Sequence, residues 1–205
     1  MLSLYGRKSS INVQKVAWAL GELELQFDWV DREGQVGKIG VEGYENLNPA
    51  RRVPTLVDNG LILNQSNSIV RYLAAVYKGD LWCKDPSERA QADRWMEWQS
   101  TDLWVDMTPT FWGLIRTPEE ERNLAIIGQH IKNLTVHFEL LDKHLANREF
   151  IIGNSLSMGD IPIGTGIYRY MSLPIEHPHF PNIESWYKRL QDREAYQKYV
   201  MVPIS

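Results

Sequence analysis

The sequence predicts two domains of different class, an α/β domain followed by an all-α domain. Strand-like and helix-like patterns alternate over residues 1–79, whereas only helical patterns occur over residues 86–205. A two-residue hairpin signal, Asn59-Gly60, lies in the first part, and three strong helix-start signals lie at or after residue 85. The domain boundary is therefore predicted near residues 79–85.

The first domain is predicted to begin with a strand, a helix and a second strand. Residues 2–5, "LSLY", alternate like a short strand, and residues 27–30, "FDWV", form the next one. Between them, residues 13–23 place their apolar side chains on one helical face. Two strands joined by a helix at this spacing are expected to be parallel.

A hairpin and two further helices complete this domain. A Gly-rich loop over residues 34–43 leads to a short helix or turn near 42–47. Asn59-Gly60 then joins "TLVD" to "LIL", because this dipeptide adopts the turn that matches the twist of paired strands. A helix over about residues 67–77 closes the domain. The resulting order, βαβ-α-ββα, is that of a thioredoxin-like domain.

The second domain is organised by helix-start signals. Asp85-Pro86-Ser87-Glu88 combines an N-cap residue, a proline at the first helical position and a nearby glutamate, and it predicts a helix over residues 86–115. The other predicted helices are one from Thr117-Pro118-Glu119-Glu120 to about residue 146, one after the capping box Ser157-Met158-Gly159-Asp160, and two shorter ones over 182–191 and 193–200.

The composition excludes several classes of function. The net charge is -4 and Lys and Arg form no long run, which argues against a nucleic-acid partner. No apolar run approaches the roughly 18 residues of a membrane span, and the first residues lack the apolar region of a signal peptide. The single cysteine, Cys83, excludes an intrachain disulfide and a metal site built from cysteines alone. We therefore expect a cytoplasmic protein with no metal, nucleic-acid or membrane partner.

Residues 52–72, "RVPTLVDNGLILNQSNSIVRY", place a proline, a hairpin and a polar helix start close together. A proline at the start of a strand has no backbone N–H group to donate a hydrogen bond to the neighbouring strand. If the Val53–Pro54 bond is cis, the backbone of Val53 faces outward and can pair with an extended peptide. If the bond is trans, Pro54 merely begins an edge strand.

The Gln65-Ser66 pair favours a binding site at this corner. The N–H groups at a helix N-terminus favour a carboxylate, and the hydroxyl of Ser66 adds one more donor. Gln65 can hold an ammonium group through its amide oxygen. Taken by itself, Ser66 would be interpreted as an N-cap residue and not as a ligand contact. Because the hairpin brings both features together, a short zwitterionic peptide is the predicted ligand.

The chain resembles a glutathione S-transferase over nearly its full length and looks closest to theta-like bacterial members. The segments that carry the resemblance are "LYGRKSSINVQKVAWAL", "NPARRVPTL", "NQSNSIVRYLA" and "SMGDIPIG". It implies a thioredoxin-like domain over residues 1–79 that holds glutathione, and an all-helical domain over residues 86–205 that completes an acceptor pocket. It also implies a homodimeric detoxification enzyme that adds glutathione thiolate to small electrophiles by conjugation or dehalogenation. Glutathione would be a co-substrate, and no cofactor would be permanently bound.

The resemblance also assigns the glutathione contacts. The Val53 backbone would pair with the cysteinyl part, and Gln65 and Ser66 would hold the γ-glutamyl end. Arg52, together with Lys38 or Ile39 in the preceding loop, would reach the glycyl carboxylate. Ser157 and Asp160 match the family's helix-capping box, which is a folding element.

The reaction needs glutathione as its thiolate, although a free thiol has a pKa of about 8.5. A hydroxyl donor and a helix N-terminus both stabilise the thiolate. The segment "KSSIN", residues 8–12, lies at such a helix start. Ser10 matches the catalytic serine of theta-like members, whose pattern is Ser-x-Pro-Cys, but Asn12 and Val13 replace the Pro and Cys. The candidate activators are therefore Ser10 first, Asn12 second and Ser9 third, and the alternative is that all three only cap the helix.

The acceptor side is expected on the long helix after residue 86. Trp104, Met107 and Phe111 share one face and are the predicted apolar pocket, although aromatic residues at helical spacing are often core. Arg116 is predicted to bind a negatively charged acceptor, or else to interact with the helix C-terminus. The missing Pro-Cys pair also leaves a second function open, a glutathione-family binding protein with little turnover.

Overall fold

A computed structural model describes residues 1–31, 43–77 and 79–205. These residues divide into two compact units. The first comprises Met1–Trp82 and Arg193–Pro203, and the second comprises Cys83–Asp192 and Ile204–Ser205. The second domain predicted over residues 86–205 is therefore too long, because its last segment packs within the first unit.

The first unit contains a mixed four-stranded sheet in the order β2-β1-β3-β4. The strands are β1 (Leu2–Tyr5), β2 (Asp28–Val30), β3 (Thr55–Asp58) and β4 (Leu61–Asn64). β1 and β2 are parallel, as predicted, and β3 and β4 form the predicted hairpin. Asn59 and Gly60 have φ values of 47° and 92°, the left-handed conformations that a tight hairpin turn requires.

Four helices lie in the part of this unit that the structure describes. They are α1 (Ile11–Glu22), α2 (Tyr44–Leu47), α3 (Ser66–Tyr77) and α9 (Glu194–Tyr199). The predicted order βαβ-α-ββα of a thioredoxin-like domain is confirmed, although α1 begins two residues earlier than predicted. Much of the predicted Gly-rich loop lies outside the described residues.

Helix α9 packs tightly on α1, which explains why the last segment joins the first unit. A Cβ atom on Gly21 would lie 2.6 Å from Cε2 of Tyr199 and 2.9 Å from Cβ of Ala195. The guanidinium of Arg193 makes two hydrogen bonds to the Glu22 carboxylate, at 2.5 and 2.9 Å. Because α1 is buried beneath α9, this contact forms part of the core of the first unit.

In the second unit the regular structure of the described residues is helical, as predicted. The α-helices are α4 (Pro86–Trp98), α5 (Trp104–Phe111), α6 (Leu124–Leu145), α7 (Asp160–Met171) and α8 (Pro181–Gln191). Two wider π-helical turns, Gln99–Leu103 and Trp112–Arg116, extend α4 and α5 into one continuous helical segment close to the predicted one. None of the described helices combines the length and apolar character needed to cross a membrane.

The helix predicted from Thr117 begins later, at Leu124. Residues Glu119–Glu121 form only a single 3₁₀ turn. The side chain of Asn123 accepts a hydrogen bond from the N–H of Ile126 at 3.1 Å and is the true N-cap. Asparagine caps a helix at least as well as threonine. The helix therefore begins after Asn123 and not after Thr117.

Asp160 lies at the centre of the second unit and is fully buried. One carboxylate oxygen accepts from the Ile151 N–H and from Nε1 of Trp186, both at 2.9 Å. The other accepts from the Ser157 N–H at 2.9 Å and from the Ser157 hydroxyl at 2.8 Å. Burial raises the pKa of Asp160, and these four hydrogen bonds act against that rise. The carboxylate thus joins the start of α7 to the preceding loop and to α8.

Candidate active site

The loop that enters β3 is held in place by two hydrogen bonds to one carbonyl. The Val53–Pro54 peptide bond is cis. Just before it, the carbonyl of Arg52 accepts from the Tyr44 hydroxyl and from Nδ2 of Asn48, both at 2.8 Å. Tyr44 is fully buried and Asn48 nearly so. Tyr44 in α2 and Asn48, the residue that follows the helix, therefore determine where the loop before Val53 lies.

The corner between β4 and α3 has an unusual backbone. Gln65 has a φ of 71°, which is uncommon for a residue other than glycine and marks a site where strain is tolerated. Helix α3 begins at the next residue, Ser66, so the first N–H groups of the helix have no intrahelical acceptor. The hydroxyl of Ser66 donates to Oδ1 of Asn12 at 3.3 Å. This bond joins the starts of α3 and α1.

A cavity of about 140 Å³ lies between the Val53–Pro54 loop and this corner. Its lining combines polar side chains, exposed backbone and a helix N-terminus, the combination that recognises an anionic peptide. Its described lining residues are Asn12, Asn48, Ala50, Arg52, Val53, Pro54, Asn64, Gln65 and Ser66.

Four predicted glutathione-binding residues are thus brought together, namely Arg52, Val53, Gln65 and Ser66. The other two, Lys38 and Ile39, lie outside the described residues. Sequence reasoning missed the lining residues Asn48, Ala50 and Asn64. They are sequence neighbours of the predicted residues, within "NPARRVPTL" and "NQSNSIVRYLA", and that proximity was the available signal.

The connection between β1 and α1 lies against the same loop. A Cβ atom on Gly6 would lie 3.1 Å from Cβ of Val53 and would collide with the side chain of Val13. Nε2 of the buried Gln14 donates to the carbonyl of Lys8 at 2.9 Å, and Nε1 of Trp29 donates to the carbonyl of Gly6 at 2.7 Å. Glycine at position 6 is required for this close approach.

The three candidate thiol activators occupy different positions around the start of α1. Ser10 is the N-cap residue, but its side chain makes no capping hydrogen bond, so the capping interpretation does not describe its hydroxyl. Ser9 and Ser10 are half-buried and are not among the described lining residues of the cavity. Asn12 does line the cavity and contacts Ser66. Of the three, Asn12 is therefore best placed to meet a ligand bound there.

A buried lysine lies between α1 and α3. Lys15 is only 3% exposed, and its Nζ lies 3.4 Å from Oδ1 of Asn67 in the first turn of α3. Burial lowers the pKa of Lys15 to about 7, because the charged ammonium loses its hydration. In the unfolded chain its pKa is about 10.4. The unfolded state therefore binds more protons between these two values.

Replacement of Lys15 by Met is expected to stabilise the protein at low pH. Below pH 7 the folded protein must bury a charge, and this cost disappears as the pH rises from about 7 to 10.4. The gain in the free energy of unfolding should be about 1–4 kcal/mol at pH 6 and should shrink as the pH approaches 10. Urea unfolding at several pH values measures it, and an equal effect at pH 6 and pH 10 would contradict this expectation.

The four predicted acceptor residues differ in exposure. Met107 and Phe111, on α5, are buried at 0% and 2% exposure, so they belong to the core and not to an open pocket wall. Trp104 and Arg116 are partly exposed. The guanidinium of Arg116 lies 4.7 Å from the ring centre of Trp112, and its Nη2 donates to the carbonyl of Ser205 at 2.7 Å. Of these four residues, Trp104 and Arg116 are the two that offer surface to an acceptor.

Known proteins that are similar to this chain are glutathione S-transferases. The family model described as "Glutathione S-transferase, N-terminal domain" matches residues 4–80. Glutathione S-transferase GstB of Escherichia coli strain K12 is 38% identical to this chain, over the whole of both chains. Glutathione S-transferase theta-1 of Mus musculus is 29% identical over 73% of this chain and 65% of its own length.

A solved structure is also very similar. The theta-class glutathione S-transferase of Xanthomonas axonopodis pv. citri, crystallised with glutathione bound, matches with a TM-score of 0.94 and 39% identity. The match covers 100% of this chain and 99% of that one. The whole fold, including the helical second unit, is therefore shared with that protein.

Proposed function

The chain belongs to the glutathione S-transferase family of enzymes, as a theta-like bacterial member, and we propose that it binds glutathione in the cavity between Val53 and Ser66 and transfers its thiolate to a small electrophile. The observation that carries the proposal is the cavity itself. Its lining includes Val53, Ser66 at the start of α3, and Asn12.

The cavity supports one orientation of the tripeptide. The N–H groups at the start of α3 and the Ser66 hydroxyl suit the γ-glutamyl carboxylate, because a helix N-terminus carries partial positive charge. The Gln65 amide oxygen suits the adjacent ammonium group. The exposed Arg52 suits the glycyl carboxylate at the other end, while the Val53 backbone pairs with the cysteinyl part between them.

This orientation directs the thiol towards the start of α1. There the Asn12 amide, the Ser10 hydroxyl and the N–H groups of the first turn are donors that stabilise a thiolate. We assign Asn12 as the main donor, since its side chain lines the cavity and its Nδ2 group can donate to sulfur. Ser10 is the second candidate and Ser9 the third.

The reaction is a nucleophilic attack by the bound thiolate. The thiol proton leaves to solvent, a carbon–sulfur bond forms at the electrophile, and the bond to the leaving group, such as a halide, breaks. The protein contributes the ionised thiol and its orientation, which is sufficient for conjugation or dehalogenation. Trp104 and Arg116 are the residues that we propose to contact the acceptor, and Arg116 would favour a negatively charged one.

Capture on immobilised glutathione, followed by turnover with 1-chloro-2,4-dinitrobenzene and haloacids, tests the proposal. Capture with turnover supports a transferase. Capture without turnover on any electrophile would support the alternative, a glutathione-binding protein with little catalytic activity. Failure of both capture and turnover would contradict the assignment of the cavity.

Replacement of Ser66 by Ala should weaken glutathione binding roughly ten- to a hundredfold, because a hydrogen bond to a charged group contributes about 1.5–3 kcal/mol. Calorimetric titration of glutathione measures the Kd. Ser68→Ala is the matched control, since Ser68 lies in the same helix but is exposed and not among the described lining residues. Equal Kd values for the two variants would place the carboxylate elsewhere.

We further propose that the protein is a cytoplasmic homodimer that acts in detoxification. Reduced glutathione is maintained in the reducing cytosol, which is where a glutathione-consuming reaction belongs. Exposed apolar side chains in each unit suit coverage by a second copy. They are Leu61, Ile62 and Val76 in the first unit, and Val105, Leu124, Ile126, Val136 and Leu140 in the second. Sedimentation equilibrium that finds only monomer at micromolar concentration would contradict the dimer.

A further inference from the structure

Two side-chain contacts join α1 to the start of α3. The hydroxyl of Ser66 donates to Oδ1 of Asn12 at 3.3 Å. Nζ of Lys15 donates to Oδ1 of Asn67 at 3.4 Å. Asn12 and Lys15 are three residues apart on α1, so they lie on the same face of the helix. Since Ser66 and Asn67 are the first two residues of α3, this face supports the end of the helix where we place the γ-glutamyl carboxylate of glutathione.

Lys15 brings a buried charge to this contact. The residue is only 3% exposed, and burial lowers its pKa to about 7. Retaining a lysine at such a position costs stability at low pH, where the folded protein must bury the charged form. No histidine occurs in the sequence of the first unit, because all five histidines of the chain lie in the second. Lys15 is therefore a group of the first unit that can exchange a proton near neutral pH.

Other ionisable side chains lie on α1 and on the elements packed against it, which are β1, α3 and α9. Glu22, in the last turn of α1, accepts hydrogen bonds from Arg193. Arg71 lies about one helical turn beyond Asn67 on α3. The remaining ionisable side chains on these elements are Tyr5, Tyr72, Tyr77, Glu194, Tyr196, Lys198 and Tyr199. A variant that replaces Lys15 alone keeps all of these groups and isolates the titration of the lysine.

We propose that Lys15 is a positioning residue for glutathione, which supports the N-terminus of α3 and whose ammonium form is favoured when the γ-glutamyl carboxylate is bound there. This inference rests on the proposed function, because it needs glutathione at the start of α3. Lys15 is not among the described lining residues of the cavity, so it acts through Asn67 and through its charge. By linkage, the proton on Lys15 and the bound carboxylate strengthen each other's binding by the same factor.

The direction of this coupling follows from the charges. In the free protein Lys15 loses its proton as the pH rises through about 7. A carboxylate bound nearby favours the ammonium form, so binding takes up a proton from solvent and is tighter at low pH than at high pH. A coupling of about tenfold, near the lower end of the usual range, gives an uptake of roughly half a proton per site near pH 7.5.

Calorimetric titration with S-methylglutathione tests the coupling, because this analogue keeps both carboxylates and has no thiol to ionise. Titrations at pH 7.5 in phosphate and in Tris, whose enthalpies of ionisation differ, give the number of protons taken up. The wild type should take up roughly half a proton, and its Kd should rise roughly five- to tenfold from pH 6 to pH 8.5. In Lys15→Met the uptake and the pH dependence of the Kd should both disappear. Lys198→Met is the matched control, since it removes an exposed lysine of the same unit, and it should behave like the wild type.

Steady-state kinetics with glutathione give an independent measurement. At pH 6.5, Lys15→Met should raise the KM for glutathione roughly fivefold and leave kcat unchanged, because the lost interaction is equally strong in the ground state and the transition state. Binding of S-methylglutathione by the wild type without proton uptake, or an equal uptake in Lys15→Met, would overturn the inference and leave the proposed glutathione site intact. Absence of S-methylglutathione binding by the wild type would contradict the proposed function, and the inference with it.

Discussion

Replacement of Asn12 by Ala is expected to lower kcat/KM for glutathione conjugation about 100-fold. Removal of one hydrogen-bond donor to a negative charge at the reacting atom, here the thiolate, typically has an effect of this size. Asn12 lines the cavity beside Val53 and Ser66, where the thiol of a bound glutathione would lie. Without its amide the thiolate loses a hydrogen bond, and the pKa of the bound thiol should rise towards the value of about 8.5 for a free thiol.

The ultraviolet absorbance of bound thiolate against pH measures that pKa directly. Asn12→Asp provides a sharper test, because it keeps the size of the side chain but places a negative charge beside the sulfur, which should raise the thiol pKa further. Ser10→Ala is the comparison variant. If Ser10→Ala raises the thiol pKa and Asn12→Ala does not, the order implied by the family resemblance is right and the order favoured by the cavity is wrong.

Replacement of Asp160 by Ala is expected to cost about 3–5 kcal/mol in the free energy of unfolding. Four donors lose their acceptor in the core, and each unsatisfied buried donor costs about 1–3 kcal/mol before relaxation. For a chain of this size the loss corresponds to a fall in Tm of roughly 6–20 °C. Asp160→Asn keeps one acceptor oxygen but places an amide donor opposite other donors. Its loss of unfolding free energy should therefore be large, but smaller than that of Asp160→Ala.

Urea unfolding followed by tryptophan fluorescence measures these losses. Asp85→Ala is the matched control, because Asp85 is an exposed N-cap of α4 that accepts from the N–H groups of Ser87 and Glu88. Loss of such an exposed cap should lower the stability much less than loss of the buried carboxylate. A cost for Asp160→Ala no greater than that for Asp85→Ala would show that the buried carboxylate does not stabilise the second unit as inferred.

Much of the secondary structure followed from local sequence. Asn59-Gly60 predicted the hairpin because its preferred dihedral angles are a property of the two residues themselves. Asp85-Pro86 likewise predicted the start of α4, since the cap is formed within four residues. The position of the candidate site was predictable for the same reason, because the Val53–Pro54 loop and the Ser66 corner are joined by one short hairpin.

Other features depended on residues that are distant in the sequence. Met107 and Phe111 have the spacing of a pocket face, but only the packing of α5 shows that they are buried. This outcome cannot be read from periodicity, since a pattern identifies an apolar face without identifying what covers it.

The sequence by itself therefore determined the two structural classes, most helices and strands, and the stretch that lines the candidate site. Only the tertiary structure decided that α9 packs on α1, that Asn12 contacts Ser66, and that the rings of Tyr199 and Trp29 lie side by side. The physical reason is the range of the interactions. Dihedral preferences and caps act within a few residues, whereas these contacts join segments that only the folded chain brings together.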